Sequence, residues 1–291
     1  MVNQVYQAHT MEEALDWLDQ HKEKAKLIAG GTDLIIKLRE GAVMPAVLID
    51  ISNMQGINHI EERDQRIILG STATFTDIQQ SRIFQKRLIA IAQAAQSVGS
   101  PQIRHRATVG GNICNASPAA DLLPPLLAMN AKALLQSKES SRLLPLEELL
   151  TGKETTCLLP EEMLKSIEFS SLGKGEGLGF SKLSVRNALA IARISMAVYL
   201  HLDDKGNCQD IRIASGALGL TAQREKNVES LIKGQPLDKK MIETASKALE
   251  ATTLERLSGR KTLPFKRYAV QGVFQEALEQ AMELCVRRDI R

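Results

Sequence analysis

The sequence predicts an α+β protein: two small α/β lobes followed by a C-terminal α+β domain with an antiparallel sheet and helices. Three observations carry that prediction. Near the N-terminus a strand, a glycine turn, a helix and a strand follow one another at residues 26–29, Gly30-Gly31, 34–38 and 46–50. Later, Ala192, Ile194, Met196, Val198, Leu200 and Leu202 alternate with Arg193, Ser195, Tyr199 and His201, the period-2 pattern of a half-buried strand. Finally, residues 225–232, 239–251 and 265–286 carry apolar side chains at three- and four-residue spacing, which predicts helices. The expected units are residues 1–54, 55–172 and 173–291.

Each element has its own signal. Thr10-Met-Glu-Glu13 is a capping box: Thr10 accepts a backbone N–H and Glu13 reaches back. The helix it opens has Leu15, Trp17 and Leu18 near one face and ends near Gln20-His21. Ala29-Gly30-Gly31-Thr32-Asp33 then joins strand to helix, where free N–H groups carry partial positive charge and suit a phosphate. This is neither the Gly-x-Gly-x-x-Gly fingerprint nor a P-loop, and an ordinary strand-to-helix turn accounts for it equally well.

In the second lobe, 66–70 reads as a strand, Thr74-x-x-Asp77 caps a helix, and 84–97 reads as one amphipathic helix through Leu88, Ile91, Ala92 and Ala95. Pro101 starts a short turn that leads to Thr108-Val109-Gly110-Gly111-Asn112. The glycine pair allows an approach that any side chain would block. Thr108, Asn112, Asn115, Ser117 and Asp121 supply hydroxyl, amide and carboxylate groups around it. The loop suits a ligand with phosphates and hydroxyls, and by itself it also reads as a tight turn between strands. A buried helix at 122–129, strands at 131–135 and 164–169, and a small helix at 145–150 follow. The glycine-rich 173–179 reads as a hinge or domain boundary, and 208–217 as the hairpin partner of the alternating strand.

Composition narrows the function. Of 291 residues 44% are hydrophobic and 24% charged, ordinary for a globular protein. A net charge of +3 and 3% aromatics argue against nucleic acid as a partner. No apolar run approaches the roughly 18 residues that span a bilayer, and the first residues lack the pattern of a signal peptide. These features lead us to expect a cytoplasmic protein with no membrane partner. Cys114, Cys157, Cys208 and Cys285 are scattered without a Cys-x-x-Cys pair, so no metal or iron–sulfur site is expected from this chain.

Ala29-Gly30-Gly31-Thr32-Asp33 and Thr108-Val109-Gly110-Gly111-Asn112, with Ala116-Ser117-Pro118 and Asp121, resemble the FAD-binding medium subunit of the xanthine dehydrogenase family of molybdenum hydroxylases. That family includes the carbon monoxide and nicotinate dehydrogenases, and the likeness runs over essentially the whole chain. It implies two lobes forming a PCMH-type FAD-binding clasp. Lys26, Leu27, Ile28, Ala29, Gly30, Gly31, Thr32 and Asp33 would form the first cofactor loop, and Thr108, Val109, Gly110, Gly111 and Asn112 the second. Asn115 and Asp121 would join the same site, Asp121 accepting from the ribityl or adenosine end of the FAD. Leu164 and Lys182 fall where the family lines the cofactor with an apolar residue and a lysine, and Val98 where some relatives place an aromatic against the flavin. Asp33 keeps an acid where several relatives have serine, as in the xanthine-type members.

The implied function is electron transfer within a heterotrimer. A molybdenum cofactor-binding large subunit would hydroxylate the substrate, and a small subunit with two 2Fe–2S clusters would pass electrons to FAD. An external acceptor such as NAD+ would then be reduced. No residue of this chain is expected to act as a general acid or base; Lys182 or Arg186 would supply a cation near the flavin or else be surface charges on a sheet edge, and Arg104 and Arg106 would pair with phosphate or equally be salt-bridged surface residues that contact a partner subunit. A self-contained FAD-dependent oxidase or reductase of the same fold, with Cys114 as the sole thiol for a tether, and a non-catalytic nucleotide-binding module remain alternatives at this point.

Overall fold

The computed structural model describes residues 2–86, 88–185 and 191–286. Arg186, one of the two cations expected near the flavin, lies outside the described residues.

The first lobe comprises β1 (Gln4–Gln7), α1 (Met11–His21), β2 (Ala25–Ile28), α2 (Leu34–Arg39) and β3 (Val47–Asp50). Its sheet is parallel in the order β1-β3-β2. The central β3 buries Val47, Leu48 and Ile49 in succession, as a parallel strand covered on both faces should. Thr10 caps α1 by accepting the Glu13 N–H at 3.2 Å, while the Glu13 carboxylate reaches one residue further back, to the His9 N–H at 2.8 Å. β1 has no signal in the sequence because its Val5 points outward, 64% exposed; pairing with β3 makes it a strand.

The second lobe contains β4 (Ile60–Arg63), β5 (Arg66–Gly70), α3 (Phe75–Gln80), α4 (Arg82–Lys86), α5 (Ile89–Gln96), α6 (Pro101–Arg104), α7 (Val109–Asn115) and α8 (Leu123–Ala128). β6 (Lys132–Gln136), β7 (Ser141–Pro145), α9 (Leu146–Leu149), β8 (Leu150–Gly152), β9 (Thr155–Thr156) and β10 (Met163–Ser170) complete it. Its main sheet is antiparallel in the order β4-β5-β10-β6-β7. The Thr74–Asp77 capping box is present in full. The single helix expected over 84–97 is instead α4 and α5, because Leu88 takes a non-helical conformation at φ −114°, ψ 42°. Apolar spacing held on both sides of that break and so concealed it. The second glycine pair is not in a loop. It forms the first turn of α7, capped by Thr108.

β11 (Glu176–Ser184), β12 (Ala192–Leu202), β13 (Cys208–Gly216) and β14 (Gln223–Arg224) form an antiparallel sheet in sequence order. It is backed by α10 (Lys226–Ile232), α11 (Lys239–Arg256) and α12 (Leu263–Val286). The glycine-rich 173–179, expected as a hinge or domain boundary, lies between β10 and β11 and runs into β11 from Glu176, where Gly177 and Gly179 pair with Leu200 and Val198. A Cβ on either glycine would collide with the α12 carbonyls of Ala281 and Ala277, so these glycines let a helix lie directly on a strand. The opposite sheet face buries Leu178, Phe180, Ala197 and Tyr199 in the same core as the second lobe.

Candidate functional site

The first glycine turn leaves β2 at Ile28 and enters α2. Gly31 takes φ 72°, a left-handed angle that favours glycine, and the side chains of Ile28 and Ile35 lie against it. Among the described residues, the backbone N–H groups of Gly30, Gly31, Thr32 and Asp33 form no hydrogen bond within the chain. They make a row of free donors at a helix start, which favours anionic oxygen.

The second turn is different. The Val109 N–H donates to Ala73 O at 2.9 Å, Gly110 N–H to Ser71 O at 2.7 Å, and Gly111 N–H to Thr108 Oγ1 at 3.1 Å. Gly110 serves packing: a Cβ there would lie 2.9 Å from the Ser71 Cβ and carbonyl oxygen. At Gly111 a Cβ would meet only Thr108 Oγ1, at 3.0 Å, and the residue is exposed. Only Gly111 of this pair therefore presents open backbone to a ligand.

The fold brings the two turns together. A side chain at Gly30 would run into the Arg106 carbonyl just before the second turn. Asn115 Nδ2 donates to Asp33 Oδ1 at 3.3 Å, while Lys37 Nζ donates to Asn115 Oδ1 and to Glu154 Oε2, each at 2.7 Å. Behind the second turn, Ser71 N–H donates to Lys165 O at 3.1 Å beside a bulge in β10, which sets Leu164 in this neighbourhood. The Leu164 side chain is 4% exposed and belongs to the lobe's core.

Asp121 forms the third corner. Lys182 Nζ from β11 donates to Asp121 Oδ2 at 2.5 Å and to Ser97 O at 2.9 Å, tying the third sheet to the second lobe. Burial lifts the Asp121 carboxyl to about 6, against the pull of Lys182. Its other oxygen, Oδ1, is buried without a partner, as is Asn112 Oδ1. Free donors on one turn and unsatisfied acceptors on Asn112 and Asp121 match a ligand that carries both phosphate oxygens and hydroxyl groups.

The remaining expected residues divide. Lys26 is exposed; Leu27, Ile28, Ala29 and Val98 are half-buried. Lys182, expected as a cation near the flavin, donates to Asp121 Oδ2 and Ser97 O. Arg104 Nη1 donates to the carbonyls of Val98 and Gly99. Burial pushes the Cys114 thiol up to about 12, so it is a neutral thiol and a poor nucleophile for a tether. Sequence reasoning missed Lys37, Ser71, Ser97 and Glu154. Lys37 lies one helical turn after Asp33, a spacing that carries some signal, whereas Glu154 carried none. Among the described residues no group of His, Cys, Asp and Glu could hold a metal, and no helix is long and apolar enough to cross a membrane.

Comparison with known proteins gives the site a context. Residues 1–170 match the FAD binding domain in molybdopterin dehydrogenase, and residues 180–281 the CO dehydrogenase flavoprotein C-terminal domain. The chain is 32% identical over 281 residues to the xanthine dehydrogenase FAD-binding subunit of Escherichia coli, covering 95% of each chain. It is 30% identical over 271 residues to the nicotinate dehydrogenase FAD-subunit of Eubacterium barkeri, covering 92% of each. Among solved structures it is similar to the carbon monoxide dehydrogenase from Hydrogenophaga pseudoflava, with a TM-score of 0.91 and 26% identity, covering 98% of this chain and 99% of that one.

Proposed function

From the premise that this chain belongs to the FAD-binding subunits of the molybdopterin dehydrogenases, a family of oxidoreductase components, we propose that it carries electrons from iron–sulfur clusters of a small partner subunit to an external acceptor such as NAD+. A large subunit with the molybdenum cofactor would oxidise the substrate, and the assembly would work in the cytoplasm. When bound, FAD supplies the chemistry that couples one-electron donors to a two-electron acceptor.

The observation that carries the site assignment is the row of free N–H donors at Gly30–Asp33 in a clasp that also holds the unpartnered Asp121 and Asn112 oxygens. The N–H groups would receive the pyrophosphate, with Gly111 open beside them. Asp121 Oδ1 and Asn112 Oδ1 would accept hydroxyl protons of the ribityl or ribose. Lys182 neutralises Asp121 and anchors the third sheet against the cofactor's side, while Val98 and the β10 backbone at Leu164 would line it. Residues 1–54 and 55–172 would act as the clasp and 173–291 as its support.

Reconstitution tests this. The purified chain incubated with FAD should turn yellow, and the bound flavin should bleach on addition of the reduced partner complex. A chain that stays colourless overturns the cofactor assignment; a yellow chain that reduced partners do not bleach overturns the electron-transfer role.

A further inference from the structure

Lys37 lies outside the proposed cofactor contacts. Its side chain is partly exposed, at 27%, and its ammonium joins three separate segments. It sits on α2 of the first lobe; Asn115 ends α7 of the second lobe; Glu154 occupies the turn between β8 and β9. An ammonium only donates, so it must face the amide oxygen of Asn115. The Asn115 NH2 is thereby turned toward Asp33 Oδ1, 3.3 Å away. Lys37 thus fixes an amide orientation, and through it the side chain of the last residue in the first glycine turn.

The third arm is itself held in place. The Glu154 N–H donates to the Ala116 carbonyl at 3.1 Å, and both residues adopt left-handed backbone angles, φ 58° and 48°. Non-glycine residues keep such angles only where surrounding contacts hold them. The Lys37 ammonium also holds the Glu154 carboxyl below the ordinary carboxylate range.

We propose that Lys37 is a positioning residue that latches the first lobe to the second through Asn115 and Glu154, and so sets how fast the cofactor escapes from between the glycine turns. Lys37 need not touch the ligand. Its effect is to keep the Gly30–Asp33 donors opposite the second turn. This rests on the assignment of FAD to the clasp.

The test uses the full chain loaded with FAD, following the rise of flavin fluorescence on release into excess unlabelled buffer. Lys37→Met should release FAD about tenfold faster, the scale of lost charge-assisted hydrogen bonds in a partly exposed site. Lys37→Arg, which keeps the charge and several donors, should stay close to the unsubstituted chain. Glu154→Gln should give a smaller acceleration. Added salt should speed release from the unsubstituted chain and leave Lys37→Met almost unaffected. Thermal unfolding of the FAD-free chain separates this from general damage: Lys37→Met should melt as the unsubstituted FAD-free chain does, while gaining less from added FAD. Equal release rates for all variants, or a faster release that only follows a lowered FAD-free melting point, overturn the latch. Failure of the unsubstituted chain to hold FAD at all overturns the cofactor assignment instead.

Discussion

The two glycine pairs look interchangeable as text, and the fold uses them for different purposes. At Gly30-Gly31 the chain leaves its N–H groups free and gives up a side chain so that the Arg106 carbonyl can close in. At Gly110-Gly111 the donors are spent inside the protein, on Ala73, Ser71 and Thr108, and Gly110 is small because Ser71 lies against it. The first pair offers donors and receives the neighbouring lobe. The second builds the wall behind them, and only Gly111 opens outward. A glycine pair in a cofactor fold therefore need not mean two glycines at the cofactor.

The strongest challenge to that contrast is Gly30→Val. Its Cβ would enter backbone of the other lobe, which cannot move aside as a side chain could. We expect a loss of more than about 4 kcal/mol in stability together with complete loss of FAD. Denaturant unfolding and flavin absorbance measure the two, and a stable, yellow variant would mean that the turns do not meet.

Gly110→Ala against Gly111→Ala sharpens the comparison within the second pair. Gly110→Ala should cost about 1–3 kcal/mol of fold stability, as overpacking does. Gly111→Ala should cost the FAD-free fold much less and act mainly on FAD affinity. Calorimetry of both variants with and without FAD decides this; the reverse ranking would reassign Gly110 to the ligand.

The smallest expected effect concerns pH and Asp121. In the FAD-free chain its carboxyl titrates near 6, raised above the ordinary 3.8 chiefly by burial. Its contribution to folding is therefore greatest below about 3.8 and is lost as pH rises through about 6. Binding runs the other way, because a hydroxyl that donates to Oδ1 favours the ionised form. FAD affinity should weaken by about tenfold as pH falls from 7 to 5, and Asp121→Asn should flatten that dependence. Titration of FAD at several pH values checks both, and an unsubstituted chain with pH-independent affinity would remove Asp121 Oδ1 from the contact.

Much of the fold was legible because its signals are local. The Thr74–Asp77 box, the alternation through β12 and the spacing in α11 and α12 each reside in a short stretch of chain. Both glycine turns and Asp121 were legible too, through motifs that carry a family likeness. β1 was not, since Gln4-Val5-Tyr6-Gln7 has no apolar run and becomes a strand only by pairing with β3. The glycines at 173–179 were ambiguous, because glycine marks hinges, domain boundaries and close helix contacts alike, and only the presence of Ala277 and Ala281 gives Gly177 and Gly179 the last role.

The sequence by itself determined most of the elements and their order, because capping, periodicity and backbone freedom act over a few residues. The tertiary structure alone decided which groups remain available. Whether an N–H is free or spent, whether Lys182 is a lone cation or Asp121's partner, and whether Lys37 reaches Asn115 and Glu154 depends on side chains far apart in the chain. Hydrogen bonds reach only about 3 Å, so that inventory is fixed when the lobes close and not before.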